Sequence, residues 1–181
     1  MPTLRAAVPL ILLTALSRGS VAQVIPATQP NAAVATLREL WKTQASYVLQ
    51  TAEAVPESLY SFRPVKSVRS FGELFGHIAG SQNSMCGVAL GEPQRNEDEV
   101  EKSRTTKADL VAALRASNAV CERAYGQTDR VAEGKATLFG REQTRLAVLG
   151  LNATHDAEHY GNLVTYLRIN GMVPPSSRPR Q

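Results

Sequence analysis

Histidine occurs three times in this 181-residue chain, and each copy lies in a segment with helical periodicity. His155 and His159 are four residues apart, while His77 belongs to a separate segment with its own start signal. Residues i and i+4 project from one helix face, with Cβ atoms about 5–6 Å apart. Two imidazoles so placed can converge on one cation at roughly 2.0–2.1 Å from each nitrogen. A third from a facing helix completes a three-histidine set with open positions, the pattern of a ligand-exchanging metal rather than a closed structural one. Such a set suits zinc, nickel, iron or copper alike, so the sequence implies a divalent metal ion (Zn, Ni or Fe in the first instance) without choosing among them. Each ligand must be neutral, so affinity is expected to fall below about pH 6.

The run His155-Asp156-Ala157-Glu158-His159 also has the H-x-x-E-H spacing of inverzincin proteases. Those enzymes need a further glutamate far downstream, and the 22 residues after His159 contain none. Glu158 turns about 100° away from His159 on a helix. It reads as a solvated carboxylate, and no catalytic residue is assigned. On the same wheel Val148, Asn152, His155, His159, Leu163 and Tyr166 share one face. The histidines therefore point where the apolar residues point, toward an interior. Asn152, Asn162 and Tyr166 lie near that face and could orient ligands, or serve as ordinary packing groups.

Four amphipathic segments must position these residues. In the first, Val34, Leu37, Trp41, Ala45, Val48, Ala52 and Val55 recur at spacings of three and four. Leu59, Tyr60 and Phe62 then lie in a loop expected to fold back on the bundle end. The second opens at Ser70-Phe71-Gly72-Glu73, a capping box, with Leu74, Ile78, Ser81, Met85 and Val88 as its central stripe and Gly91 and Pro93 as its stop. Cys86 is nine residues from His77, about 180° around the wheel, and is not expected at the same metal. Residues 92–104 are a charge run of the kind that is usually a solvated surface. Thr106 caps a third helix carrying Leu110, Leu114, Ser117, Cys121 and Ala124. The fourth is expected over residues 141–170, stopped by Gly171 with Pro174-Pro175 beyond. No strand pattern stands out, so the fold class is all-α, a four-helix bundle. Fifteen extended residues reach about 50 Å and a twenty-residue helix is about 30 Å long, so a parallel crossover between the second and third helices is possible.

Residues 1–22 read as a signal peptide: a basic Arg5, an apolar stretch at 6–16 too short to span a bilayer, and Ser20-Val21-Ala22 before a cleavage site at Gln23. Residues 23–30 read as a linker, 31–175 as the folded unit and 176–181 as a disordered tail. The expected product is periplasmic or secreted, with no membrane attachment after cleavage. Cleavage removes Arg5 and Arg18 from totals of 20 basic and 16 acidic side chains, leaving a net charge of +2. No basic run marks a nucleic-acid face. Cys86 and Cys121 could form a disulfide in an oxidising compartment or stay as two separate thiols; spacing does not decide.

The chain resembles the DinB/YfiT-like family. The similarity rests on Tyr60-Ser61-Phe62-Arg63-Pro64, on Arg69-Ser70-Phe71-Gly72-Glu73-Leu74 leading to His77, and on residues 155–175, including Tyr166-Leu167-Arg168, Gly171 and Pro174-Pro175. It spans roughly residues 31–175. The resemblance implies a four-helix bundle of up-down-down-up topology and a divalent metal held by His77, His155 and His159. Dimers are common in the family, so a homodimer is a possible partner arrangement. Some relatives are thiol-dependent transferases or isomerases. Related sulfoxide synthase domains carry a carboxylate two residues after the last histidine; Gly161 stands there in this chain, so that activity is not carried over.

Two functions compete. The first is a metal-dependent transferase or hydrolase acting on a small molecule. The second is a non-catalytic metal-binding or stress-related protein, which the lack of an obvious general base keeps open. A bundle serving only as an interaction module is the third option.

Overall fold

The computed structural model describes residues 31–179; the expected signal peptide and linker lie outside the described residues. Four long helices form the body: α1 (Ala32–Ala54), α2 (Phe71–Leu90), α4 (Lys107–Ala124) and α6 (Arg145–Ile169). A short α3 (Glu99–Ser103) lies between α2 and α4. A one-turn α5 (Asp129–Ala132) and a hairpin of β1 (Lys135–Leu138) and β2 (Arg141–Thr144) join α4 to α6.

Contacts along the helices define their directions. Gly72 faces Leu110, Gln82 bonds Ser117 and Cys86 is joined to Cys121, so α2 and α4 run parallel. Arg38 pairs with Glu122 while Lys107 reaches the carbonyls of Glu53 and Val55, so α1 runs against α4. Tyr47 stacks on Tyr160 and Leu37 faces Gly150, so α1 and α6 are parallel. Tyr166 bonds the Arg69 carbonyl and Asp156 bonds Gln82, so α6 runs against α2. The topology is up-down-down-up, with residues 91–106 as the crossover.

The helix starts follow local chemistry. Ser70 and Glu73 make the reciprocal capping box expected of them. Thr106, Thr128 and Thr144 each accept a third-residue amide in the same way. Asn31 does not cap α1 with its side chain. Instead Asp129 accepts the Ala33 and Val34 amides at 3.1 and 2.9 Å, so α5 closes the α1 N-terminus from across the bundle.

Four expectations need correction. Residues 141–144 form β2 rather than the first turn of the last helix, which Thr144 caps. The sequence shows no alternation there because a two-stranded ribbon buries almost nothing but Leu138. Helix α2 is buried nearly all round rather than along one stripe, because α4, α6 and the crossover all cover it. The charged crossover is not wholly a solvated surface: Val100 packs on the core, and the Glu101 side chain is 17% exposed. Residues 176–177, expected in a disordered tail, belong to a 3-10 turn whose Ser176 bonds the Tyr160 hydroxyl at 2.9 Å.

The core has two apolar clusters. One gathers Trp41, Met85, Tyr125, Val148 and Leu149, with the Cys86–Cys121 disulfide among them. The other gathers Val48, Phe71, Phe75, Leu110, Leu163 and Tyr166. Between them lie polar side chains: Ser81 and Gln82 from α2, Ser117 from α4, and Asp156 from α6 are all fully buried. His77, His155 and His159 lie in this mid-bundle layer.

Candidate metal centre

The layer brings the three imidazoles together from two antiparallel helices. His155 Nε2 lies 3.2 Å from His77 Nε2 and 3.0 Å from His159 Nε2. Ring centroids are 4.3–5.1 Å apart, with ring planes 51–89° from one another. All three present the same ring nitrogen to one point. A neutral imidazole has one ring proton, so His155 Nε2 can donate to one neighbour and not to both. A shared cation satisfies all three at once: ligand nitrogens about 2.05 Å from a tetrahedral ion stand about 3.3 Å from each other, close to the spacing seen. The residues therefore fit a divalent metal, bound through Nε2.

Electrostatics keep the rings in the ligating form. Burial is the first cause in each case. It lowers the His77 pKa to about 4, helped by the positive charges of Arg69 and His159. His155 falls to about 3, with His159, His77 and Arg69 adding to burial. His159 is lowered too, with exposed Glu158 opposing burial and Arg69 reinforcing it.

A metal at Nε2 leaves the proton on Nδ1, which then needs an acceptor. His77 Nδ1 is buried with no hydrogen-bond partner, and Glu101 Oε2 is the nearest carboxylate at 3.6 Å. Arg69 Nε holds both Glu101 oxygens at 3.1 and 3.0 Å. Asn162 lies 3.5 Å from His159 Nδ1. His155 Nδ1 is buried without a partner. His77, Asp98 and Glu101 also cluster. Their carboxylates are already balanced by Lys102 and Arg69, so this second group makes no independent case for a cation.

Glycine makes the Glu101 contact possible. A Cβ at Gly76 would sit 2.6 Å from Glu101 Cα, and one at Gly80 would sit 1.9 Å from the Glu97 carbonyl oxygen. The crossover thus rests directly on the α2 backbone. Two glycines at i and i+4 on a helix, flanking His77, were the signal for this; the charge run alone concealed it.

Other expectations divide. Cys86 faces away from the histidines and pairs with Cys121, with Cα atoms 5.1 Å apart. Asn152 is not at the centre; it is buried against the Tyr125 hydroxyl at 3.2 Å. Tyr166 donates its hydroxyl to the Arg69 carbonyl and, with Asn162 and His159, lines a cavity of about 530 Å³. Arg63, Lys66, Arg69, Glu73 and Glu101 complete its polar wall. Asp156, unremarked in sequence, is wholly buried; its pKa is pushed up to about 7 by burial, against the lowering effect of Gln82 and Trp41.

Fold and site together define a helical bundle with a three-histidine cluster, one member of which, His159, lines a cavity. Residues 40–163 match the DinB superfamily, and the chain belongs to it. It is 28% identical over 128 residues to the uncharacterized protein YjoA of Bacillus subtilis, covering 67% of this chain and 80% of that one. The YjoA crystal structure superposes with a TM-score of 0.64 at 24% identity, covering 81% of this chain and 99% of the other. A DinB-like protein from Bacillus cereus gives 0.68 at 16% identity, with 82% and 98% covered. The mycothiol-dependent maleylpyruvate isomerase gives 0.59 at 14%, with 72% of this chain and 59% of that chain covered. The structural likenesses establish the fold.

Proposed function

We propose that this protein is an exported metalloprotein that binds one divalent metal through His77, His155 and His159 and uses it in transfer or hydrolysis on a small molecule. The convergence of three Nε2 atoms beside a cavity carries the reading. A bound divalent ion supplies Lewis acidity and lowers the pKa of a coordinated water or thiol. The chain's own residues do the rest. The two helices hold the rings, burial keeps them neutral, and Glu101 Oε2 is the carboxylate nearest the His77 Nδ1–H, at 3.6 Å. Asn162 and Tyr166 are placed to contact a ligand in the cavity.

Zinc, nickel and iron all suit the donor set. Elemental analysis after reconstitution tests the binding step, with one metal per chain expected and His159→Ala as control. A substoichiometric metal content in the intact protein defeats the proposal. A screen of the loaded protein against esters and thiol conjugates tests turnover.

The second reading, metal binding without catalysis, is favoured by one observation. Both carboxylates lining the cavity are engaged by arginines, Glu73 by Arg63 and Glu101 by Arg69, so neither stands ready as a general base. Saturable metal uptake with no turnover supports it. Export is supported by the signal-like N-terminus and by the cysteine pair, since disulfides persist in oxidising compartments. Intact Met1 on protein recovered from the cytoplasm contradicts export.

A further inference from the structure

We propose that the cavity beside His159 contains an anion subsite, formed by the terminal guanidinium nitrogens of Arg69 and the ammonium of Lys66, that binds the carboxylate of a small-molecule substrate. This rests on the metal-dependent reading above and names the substrate class for the same site.

The lining carries three cations, and they are not equivalent. Arg63 is committed: it donates to Glu73 at 2.8 Å and to the Val68 carbonyl at 3.3 Å. Arg69 is committed on one edge only. Both of its contacts to Glu101 are made by Nε, and its two terminal nitrogens have no partner among the described residues. The Glu101 contact fixes the guanidinium plane, which lowers the cost of ordering it for a ligand. Lys66 makes no ion pair among the described residues and lines the same cavity. Three cations against two carboxylates leave the wall positive, and a divalent ion at the histidines adds to that charge.

Arg69 is also near the metal centre. Its Nε holds the Glu101 carboxylate, whose Oε2 is 3.6 Å from His77 Nδ1, and it lines the same cavity as His159. His159 and Asn162 line the same cavity, so an anion held there shares it with them. The volume of about 530 Å³ lies within the range of small-ligand sites. A planar fork of two N–H donors matches a carboxylate edge to edge, and the lysine supplies a second, less directional charge.

The test is calorimetric titration of zinc-loaded and metal-free protein with succinate, with succinamide as the neutral analogue and inorganic phosphate as the competing anion. Succinate is expected to bind at least 10-fold more tightly than succinamide. Lys66→Ala and Arg69→Gln are each expected to weaken it about 10-fold or more, with zinc content measured for each variant. Lys66 lies outside the metal ligands and their acceptors, so its variant keeps the test meaningful if Arg69→Gln disturbs Glu101. Succinate affinity unchanged in Lys66→Ala and Arg69→Gln at full zinc content overturns the subsite, as does phosphate binding 10-fold more tightly than succinate, or the absence of succinate binding to either form. If the protein takes up no zinc yet the metal-free form binds succinate through Lys66 and Arg69, the metal reading fails and the anion subsite stands.

Discussion

Burial holds His77, His155 and His159 in the neutral form, the form in which an imidazole can bind a metal. Their depressed pKa values change the pH behaviour expected from the bare sequence. A lowered pKa moves proton competition to lower pH, so His77 at about 4 and His155 at about 3 stay neutral through pH 5. Only His159 can compete above that point. Zinc affinity, followed by chelator competition, is therefore expected to fall by no more than about tenfold per pH unit between about pH 6 and 5, then more steeply below about pH 4. A loss of two decades per unit already at pH 6 contradicts this assignment. Glu101 gives a second residue-level expectation. Its carboxylate is the nearest acceptor for a hydrogen bond from His77 Nδ1–H, so Glu101→Gln is expected to weaken zinc binding by about 10-fold or more in the same competition assay, with helicity unchanged.

At the scale of elements, the crossover is the part whose placement depends most on glycine. Gly80 has no room for a methyl group, since the Glu97 carbonyl occupies the position. Gly80→Ala is expected to cost about 1–3 kcal/mol in urea unfolding, as overpacking does, and to weaken metal binding by displacing Glu101. Gly161 is also mid-helix, on α6, but nothing lies within 4 Å of a Cβ there. Gly161→Ala is expected to stabilise by about 0.5–1 kcal/mol through helix propensity alone. Opposite signs for the same substitution would show that the crossover's seat, not glycine as such, is what α2 requires.

In the molecule as a whole, a polar layer runs through the middle of an otherwise apolar bundle. Asp156 lies within it, accepting from Gln82 Nε2 at 2.7 Å, with its other oxygen unpartnered. Its pKa is about 7 folded and near 3.8 unfolded. The folded state therefore binds the extra proton between those values. The resulting stability is fully present below about pH 4 and is lost as pH rises toward 7. Asp156→Asn removes this dependence and should gain on the wild type by about 2–4 kcal/mol between pH 4 and 8 in chemical unfolding. A constant difference across that range would show that Asp156 is not the titrating group. The disulfide acts at the same scale. It ties α2 to α4 across 35 residues, so Cys86→Ser with Cys121→Ser is expected to lower unfolding stability by about 3–4 kcal/mol.

Periodicity and caps made the four long helices legible from sequence, because burial of one face and satisfaction of terminal amides are local demands. The His155–His159 pair was legible for the same reason: a spacing of four puts two side chains on one helix face. The third histidine could be nominated by scarcity, but only packing of α6 against α2 brings His77 within reach. The cysteine pairing, the hairpin before α6, the polar layer around Asp156 and the approach of Glu101 to His77 were decided by tertiary structure. Each depends on which surfaces meet across the bundle. A charge run reads as solvated until a glycine face elsewhere in the chain gives it somewhere to sit.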